Sequence, residues 1–132
     1  MFDTSPIKIV LAEDEEMIST AYKEGFSYLG YDISIAWNGA EAIESITQSM
    51  PDILLLDVIM PVMNGFEALE VIRSNPKFKK LPIIMLTNLS QPSDKEHALS
   101  LGATDYLIKS DITLKELVAR IKDVLAANNS KS

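Results

Sequence analysis

Asp52-Ile53-Leu54-Leu55-Leu56-Asp57-Val58-Ile59-Met60-Pro61-Val62-Met63-Asn64-Gly65 carries four consecutive apolar residues into an acid and then into a turn built of Pro, Asn and Gly. A run without polar alternation suits a strand of a parallel sheet that is covered on both faces. Ligands of open α/β sheets bind outside the carboxyl ends of such strands, and Asp57 falls at that end. An Asp in this place can equally cap a turn with its side chain. The surrounding chain has to choose between the two readings.

On either side, apolar runs alternate with helical periods. Residues 7–12 form an aliphatic run stopped by Glu13-Asp14-Glu15-Glu16, after which Met17, Ile18, Ala21, Tyr22, Gly25, Phe26 and Leu29 recur at helical spacing. Residues 32–36 read as a second strand, and Asn38-Gly39 opens a helix that turns Ala42, Ile43 and Ile46 inward. Pro51 closes that unit. Asn64-Gly65 leads into a third helix with Phe66, Leu69, Val71 and Ile72, which stops near Asn75-Pro76 ahead of a basic loop, Lys77-Phe78-Lys79-Lys80. Ile83-Ile84-Met85-Leu86-Thr87 is the fourth strand. Ser93-Asp94-Lys95-Glu96 has the form of a capping box for a fourth helix, which Gly102-Ala103 closes. Tyr106-Leu107-Ile108 is a short fifth strand ending at Lys109, and Thr113-Leu114-Lys115-Glu116 is a second capping box before a helix faced with Leu117, Val118, Ile121 and Leu125.

Five β-then-α units predict an α/β fold with a five-stranded parallel sheet and helices on both faces, because the crossovers are right-handed. The strand order expected is 2-1-3-4-5, the flavodoxin-like arrangement. One domain fills residues 1–132, with a core over about 7–127 and a polar fringe at 128–132. At 47% hydrophobic and 23% charged the chain can bury a core, and a net charge of −7 argues against direct contact with nucleic acid or an anionic membrane. Cysteine is absent, so disulfides and thiolate metal sites are excluded. With neither a secretory leader pattern at the N-terminus nor an apolar run of spanning length, the reading is cytoplasmic. His97 and the Lys77–Lys80 loop read as solvated surface, Trp37 as packing near the end of strand two, and most of the six Met as core fillers.

In the order 2-1-3-4-5 strands one and three adjoin, and their ends carry Glu13, Asp14 and Asp57. Thr87 ends strand four and Lys109 ends strand five, so three acids, a hydroxyl and an ammonium converge on one edge. With these residues in this order, the chain resembles the receiver domain of two-component response regulators, the family that includes the chemotaxis response regulator. The resemblance rests on Glu13-Asp14, the stretch from Asp57 to Gly65, Thr87, Gly102-Ala103-Thr104-Asp105-Tyr106-Leu107 and Lys109, and covers the chain apart from its termini.

Physical chemistry gives each residue a task. Clustered carboxylates repel and are driven to bind protons unless a cation compensates. All-oxygen ligands select Mg²⁺ over zinc or copper. Asp57 can form an acyl phosphate as nucleophile, Lys109 offers a point charge to a phosphoryl oxygen, and Thr87 offers a hydroxyl. The resemblance implies that Asp14 and Asp57 bind Mg²⁺ directly, Glu13 through water, and Ile59 through its backbone carbonyl. It implies a phosphodonor, either a sensor histidine kinase or a histidine phosphotransfer protein. It also implies a switch in which Thr87 is recruited and Tyr106 moves inward, reshaping helix four, strand five and helix five for a downstream protein target. Such a domain catalyses only its own phosphotransfer and dephosphorylation and is not otherwise an enzyme. With no output segment after Val124-Leu125, the chain reads as a stand-alone receiver or as one domain of a longer regulator.

Two other readings use the same residues. A haloacid dehalogenase-type phosphatase also has an aspartyl nucleophile at a strand end but needs a second Asp two residues on; position 59 is Ile, which cannot act as a general acid. A pseudo-receiver that binds partners without phosphate would lack one of the acids or the Lys, and all are present. Two departures from the family carry expectations. Ser110 stands where the family has Pro after a cis bond, and a cis bond without Pro costs about 3 kcal/mol, so a trans Lys109–Ser110 bond with a compensating loop is expected. Ile59 and Leu89 are apolar at places where polar side chains help to orient the hydrolytic water, so self-dephosphorylation should be slow.

Overall fold

Ile53, Leu54, Leu55 and Leu56 are all fully buried, as a strand covered on both faces requires. In the computed structural model, which describes residues 5–130, they form β3 (Ile53–Leu56) at the centre of a parallel sheet. The other strands are β1 (Lys8–Ala12), β2 (Asp32–Ala36), β4 (Ile83–Thr87) and β5 (Asp105–Ile108), in the expected order β2-β1-β3-β4-β5. Between and after them come α1 (Glu16–Tyr28), α2 (Gly39–Gln48), α3 (Gly65–Ser74), α4 (Pro92–Ser100) and α5 (Leu114–Ser130). This is the flavodoxin-like fold.

Side chains alternate across each strand, so every strand feeds two cores. Ile9, Leu11, Ile53, Leu55, Ile84 and Leu86 meet Phe26 of α1 and Leu117 and Ile121 of α5. Val10, Ala12, Leu54, Leu56, Ile83 and Met85 meet α2, α3 and α4 through Ala42, Ile46, Ala68, Leu69, Ile72 and Ala98. The carboxyl ends of the strands are thereby left clear of helices at one edge.

Several sequence expectations need correction. Ser93 does not cap α4: the N-cap is Gln91, without a side-chain hydrogen bond, and Pro92 holds the first helical position. The fixed φ of proline suits that position, so the helix begins before Ser93, which is then already helical and unable to cap. The inward face of α1 runs through Ser19 and Phe26, whereas Met17 is 87% exposed and Leu29 is also exposed. A buried Ser is tolerated there because its hydroxyl donates to the Glu16 carbonyl at 3.1 Å, while Phe26 anchors the helix edge-on against Tyr31. Val71 is exposed, so period alone over-assigned the inward face of α3. Trp37, just beyond β2, is half-exposed, and the His97 ring, though exposed, sits edge-on to Phe66. The Thr113 capping box is present in both directions, with Glu116 N–H donating to Thr113 Oγ1 and Thr113 N–H to Glu116 Oε1. Of the expected polar fringe, 128–130 continue α5, and Lys131 and Ser132 lie outside the described residues.

Candidate functional site

The ladder carries Asp57 one residue past β3, where its backbone N–H donates to the Ala12 carbonyl at 3.1 Å. The chain then turns tightly: Gly65 N–H donates to the Val58 carbonyl at 2.8 Å, and a Cβ at Gly65 would lie 2.0 Å from the Asp57 carbonyl oxygen. Only glycine lets α3 start so close to the strand end. Asn64 and Glu67 cap that helix reciprocally, a capping box that the sequence reading overlooked although its N-x-x-E pattern was there to see. The intervening Val62 holds φ 68°, and the Met63 carbonyl accepts from Gly39 N–H at 2.9 Å, tying this loop to the start of α2.

Glu13 follows β1, with its N–H on the Ala36 carbonyl at 2.9 Å, and is 1% exposed. Asp57 is 6% exposed and Asp14 faces solvent. One carboxylate oxygen from each of Glu13, Asp14 and Asp57 lies within 4.8 Å of the others. Lys109, from the far side of the sheet, donates to Asp57 Oδ2 at 2.7 Å and to Glu13 Oε1. The remaining oxygens are also engaged, Asp57 Oδ1 by Val58 N–H at 2.7 Å and Glu13 Oε2 by Glu15 N–H at 3.1 Å. The contact between Lys109 and Glu13 has no signature in the sequence, because nothing local links residues 13 and 109.

Burial raises the Glu13 pKa, and the Lys109 hydrogen bond only partly offsets it. For Lys109, burial works to lower the pKa, but the hydrogen bonds to Asp57 and Glu13 outweigh it and the ammonium is held above its ordinary value. Thr87, 1% exposed, accepts from Leu89 N–H at 3.4 Å. Tyr106 stands inward at 5% exposure, its hydroxyl donating to the Leu89 carbonyl at 2.7 Å. Its phenol is pushed up to about 12 by burial first, then by Asp94 and Asp57. Ile59 is 65% exposed on the rim and Leu89 is partly buried against the core. Among the described residues no peptide bond is cis, so Lys109–Ser110 is trans, and Asn88 Oδ1 accepts from Ser110 N–H at 3.0 Å. The expected residues thus gather at one edge, with the acids and Lys109 in direct contact and Thr87 and Tyr106 joined through Leu89. Among the described residues no helix is long and apolar enough to cross a membrane.

Comparison with known proteins gives the same frame. The model of the response regulator receiver domain matches residues 9–122. The chain is 35% identical over 123 residues to the transcriptional regulatory protein TrcR of Mycobacterium tuberculosis, covering 93% of this chain and 47% of that protein. It is 36% identical over 118 residues to the phosphate regulon transcriptional regulatory protein PhoB of Rhizobium meliloti, covering 89% and 52%. It therefore spans about half the length of these relatives. The BeF₃-activated N-terminal receiver domain of RstA from Klebsiella pneumoniae superposes with a TM-score of 0.82 at 29% identity, covering 89% of this chain and 97% of that one. A match over 9–122, on a flavodoxin-like fold whose strand ends gather three acids and a lysine, makes this chain a member of the response regulator receiver domain family.

Proposed function

We propose that this receiver takes a phosphoryl group on Asp57 from a phosphohistidine of a sensor histidine kinase or a histidine phosphotransfer protein. The observation that carries the reading is the Lys109 ammonium bound to both Asp57 and Glu13 at the open edge of the sheet. In the transfer the Asp57 carboxylate forms a bond to phosphorus as the donor's N–P bond breaks, its electron pair returning to the imidazole. Lys109 exchanges its carboxylate for a phosphoryl oxygen, and the Thr87 hydroxyl donates to another.

The donor set fits Mg²⁺: three carboxylates within reach of one another, and no thiolate in the chain. Asp14 and Asp57 would hold the ion directly, Glu13 through water, and the Ile59 carbonyl would add a backbone ligand. When bound it neutralises charge on the phosphoryl oxygens. Signal output follows from the Thr87 and Tyr106 pair. Phosphorylation draws Thr87 toward the phosphate and favours the inward Tyr106, biasing the surface of α4, β5 and α5 toward a downstream protein target. Response regulators partner histidine kinases, and the relatives above are named for transcription. An acidic domain of net charge −7 contributes to such an output by protein contact, not by touching nucleic acid itself. The same reading places the protein in the cytoplasm and its chemistry outside ordinary enzyme turnover.

Acetyl phosphate with Mg²⁺ tests the reading. Mass spectrometry should find one acyl phosphate in the parent and none in Asp57→Asn; a modified variant or an unmodified parent overturns it. Small phosphate esters should not be turned over, since Ile59 stands where a haloacid dehalogenase-type hydrolase needs its acid.

A further inference from the structure

We infer that Asn88 is a positioning residue for Lys109, acting through the backbone of Ser110; the inference rests on the reading of Lys109 given above. The β4–β5 ladder ends at the pair Thr87 and Ile108. Lys109 is the next residue, so its backbone lies beyond the last rung while its ammonium must reach Asp57 at the end of β3 and Glu13 at the end of β1, two and three strands away in the sheet order. One step further on, within a short 3-10 turn over Lys109–Asp111, Ser110 N–H donates to Asn88 Oδ1 at 3.0 Å, so a side chain just past β4 ties down the turn that Lys109 begins. A proline at position 110 would have no N–H to give. The trans Lys109–Ser110 bond and this donor occur together, and the amide oxygen at position 88 fixes the peptide that follows the lysine. Held on the near side by the ladder and on the far side by Asn88, Lys109 leaves the backbone in one direction. The link lies at the surface, with both residues exposed, so it adds little to the core and acts on geometry.

The test reads the lysine directly. In ¹⁵N-labelled full-length chain without Mg²⁺ or donor, NMR relaxation of the Lys109 ammonium should show order lost in Asn88→Ala and retained in Ser110→Ala, which keeps the backbone N–H. With acetyl phosphate and Mg²⁺, Asn88→Ala should slow the saturated rate of Asp57 modification roughly tenfold, the scale of a small misplacement of a catalytic group, and leave the half-saturating donor concentration unchanged. In a Ser110→Pro background, adding Asn88→Ala should change neither readout. An equally ordered lysine in Asn88→Ala, or equal slowing in both backgrounds, overturns the inference. A parent that takes no phosphoryl group defeats the reading of Asp57, while the NMR comparison still decides the role of Asn88.

Discussion

Tyr106 keeps its phenol neutral because it is buried, with Asp94 and Asp57 adding to the effect, and its pKa stands near 12 against an ordinary 10.0. A group whose folded pKa is raised stabilises the fold fully below its unfolded value and loses that contribution as pH rises through the folded one. Stability should therefore fall between pH 10 and about 12, and Lys109, also raised, acts in the same direction. Urea midpoints measured across this window should fall less steeply in Tyr106→Phe, and the last-titrating phase of tyrosinate absorbance should vanish; an unchanged slope and titration would remove Tyr106 from the account. Ile59 and Leu89 act on a different quantity. Neither side chain can hydrogen-bond a water, and Ile59, two residues after Asp57, is exposed. Given phosphorylation of Asp57, Ile59→Asn with Leu89→Glu should speed loss of the acyl phosphate by roughly tenfold, as better positioning of one water allows. Tyr106 is held by the Leu89 backbone, so the substitution leaves that contact in place. A double variant no faster than the parent sinks the idea that these two residues set the lifetime.

Helix starts show how one pattern can be right in one element and wrong in another. S/T-x-x-E occurs at Ser93 and at Thr113, yet only Thr113 exchanges both bonds with its Glu. The difference lies one residue upstream of Ser93, where Pro92 starts α4 early and puts the serine inside the first turn. Thr113→Ala should cost about 1 kcal/mol, whereas Ser93→Ala should stay within about 0.5 kcal/mol. Denaturant unfolding at constant slope distinguishes them, and equal losses at the two sites would contradict the assigned caps. Gly102 shows the other end of the same helix: at φ +104° it turns the chain left-handedly, and Ala103 N–H closes on the Ala98 carbonyl at 3.0 Å. Arg73 of α3 then reaches over to the Gly102 carbonyl at 2.8 Å, fastening the α4–β5 turn.

Across the molecule the two cores are unequal in how firmly they hold each helix. Ala98 is the buried residue of α4, which otherwise leans on the Phe66–His97 ring contact and on the partly buried Leu101 that follows it. Local opening follows the number of buried apolar groups an element contributes, so α4 amides should exchange with solvent well before those of β1, β3 and β4. Hydrogen exchange resolved by segment checks this; α4 protected as well as the central strands would show that its anchoring is stronger than its burial. The element that opens first is also the one on the proposed output surface. By itself the sequence determined the strands, their order class and the acids, hydroxyl and lysine at their ends, because unbroken apolar runs and the residues that stop them are properties of a few neighbours. The Thr113 cap was legible for the same reason. Tertiary structure alone decided which face of α1 is buried, that Pro92 displaces the Ser93 cap, that Lys109 binds Glu13 as well as Asp57, and that Asn88 meets Ser110. The ammonium and Glu13 are 96 residues apart and Asn88 and Ser110 are 22 apart. Contacts of that kind depend on sheet order and on the exact end of each ladder, which arise only when all five strands have paired.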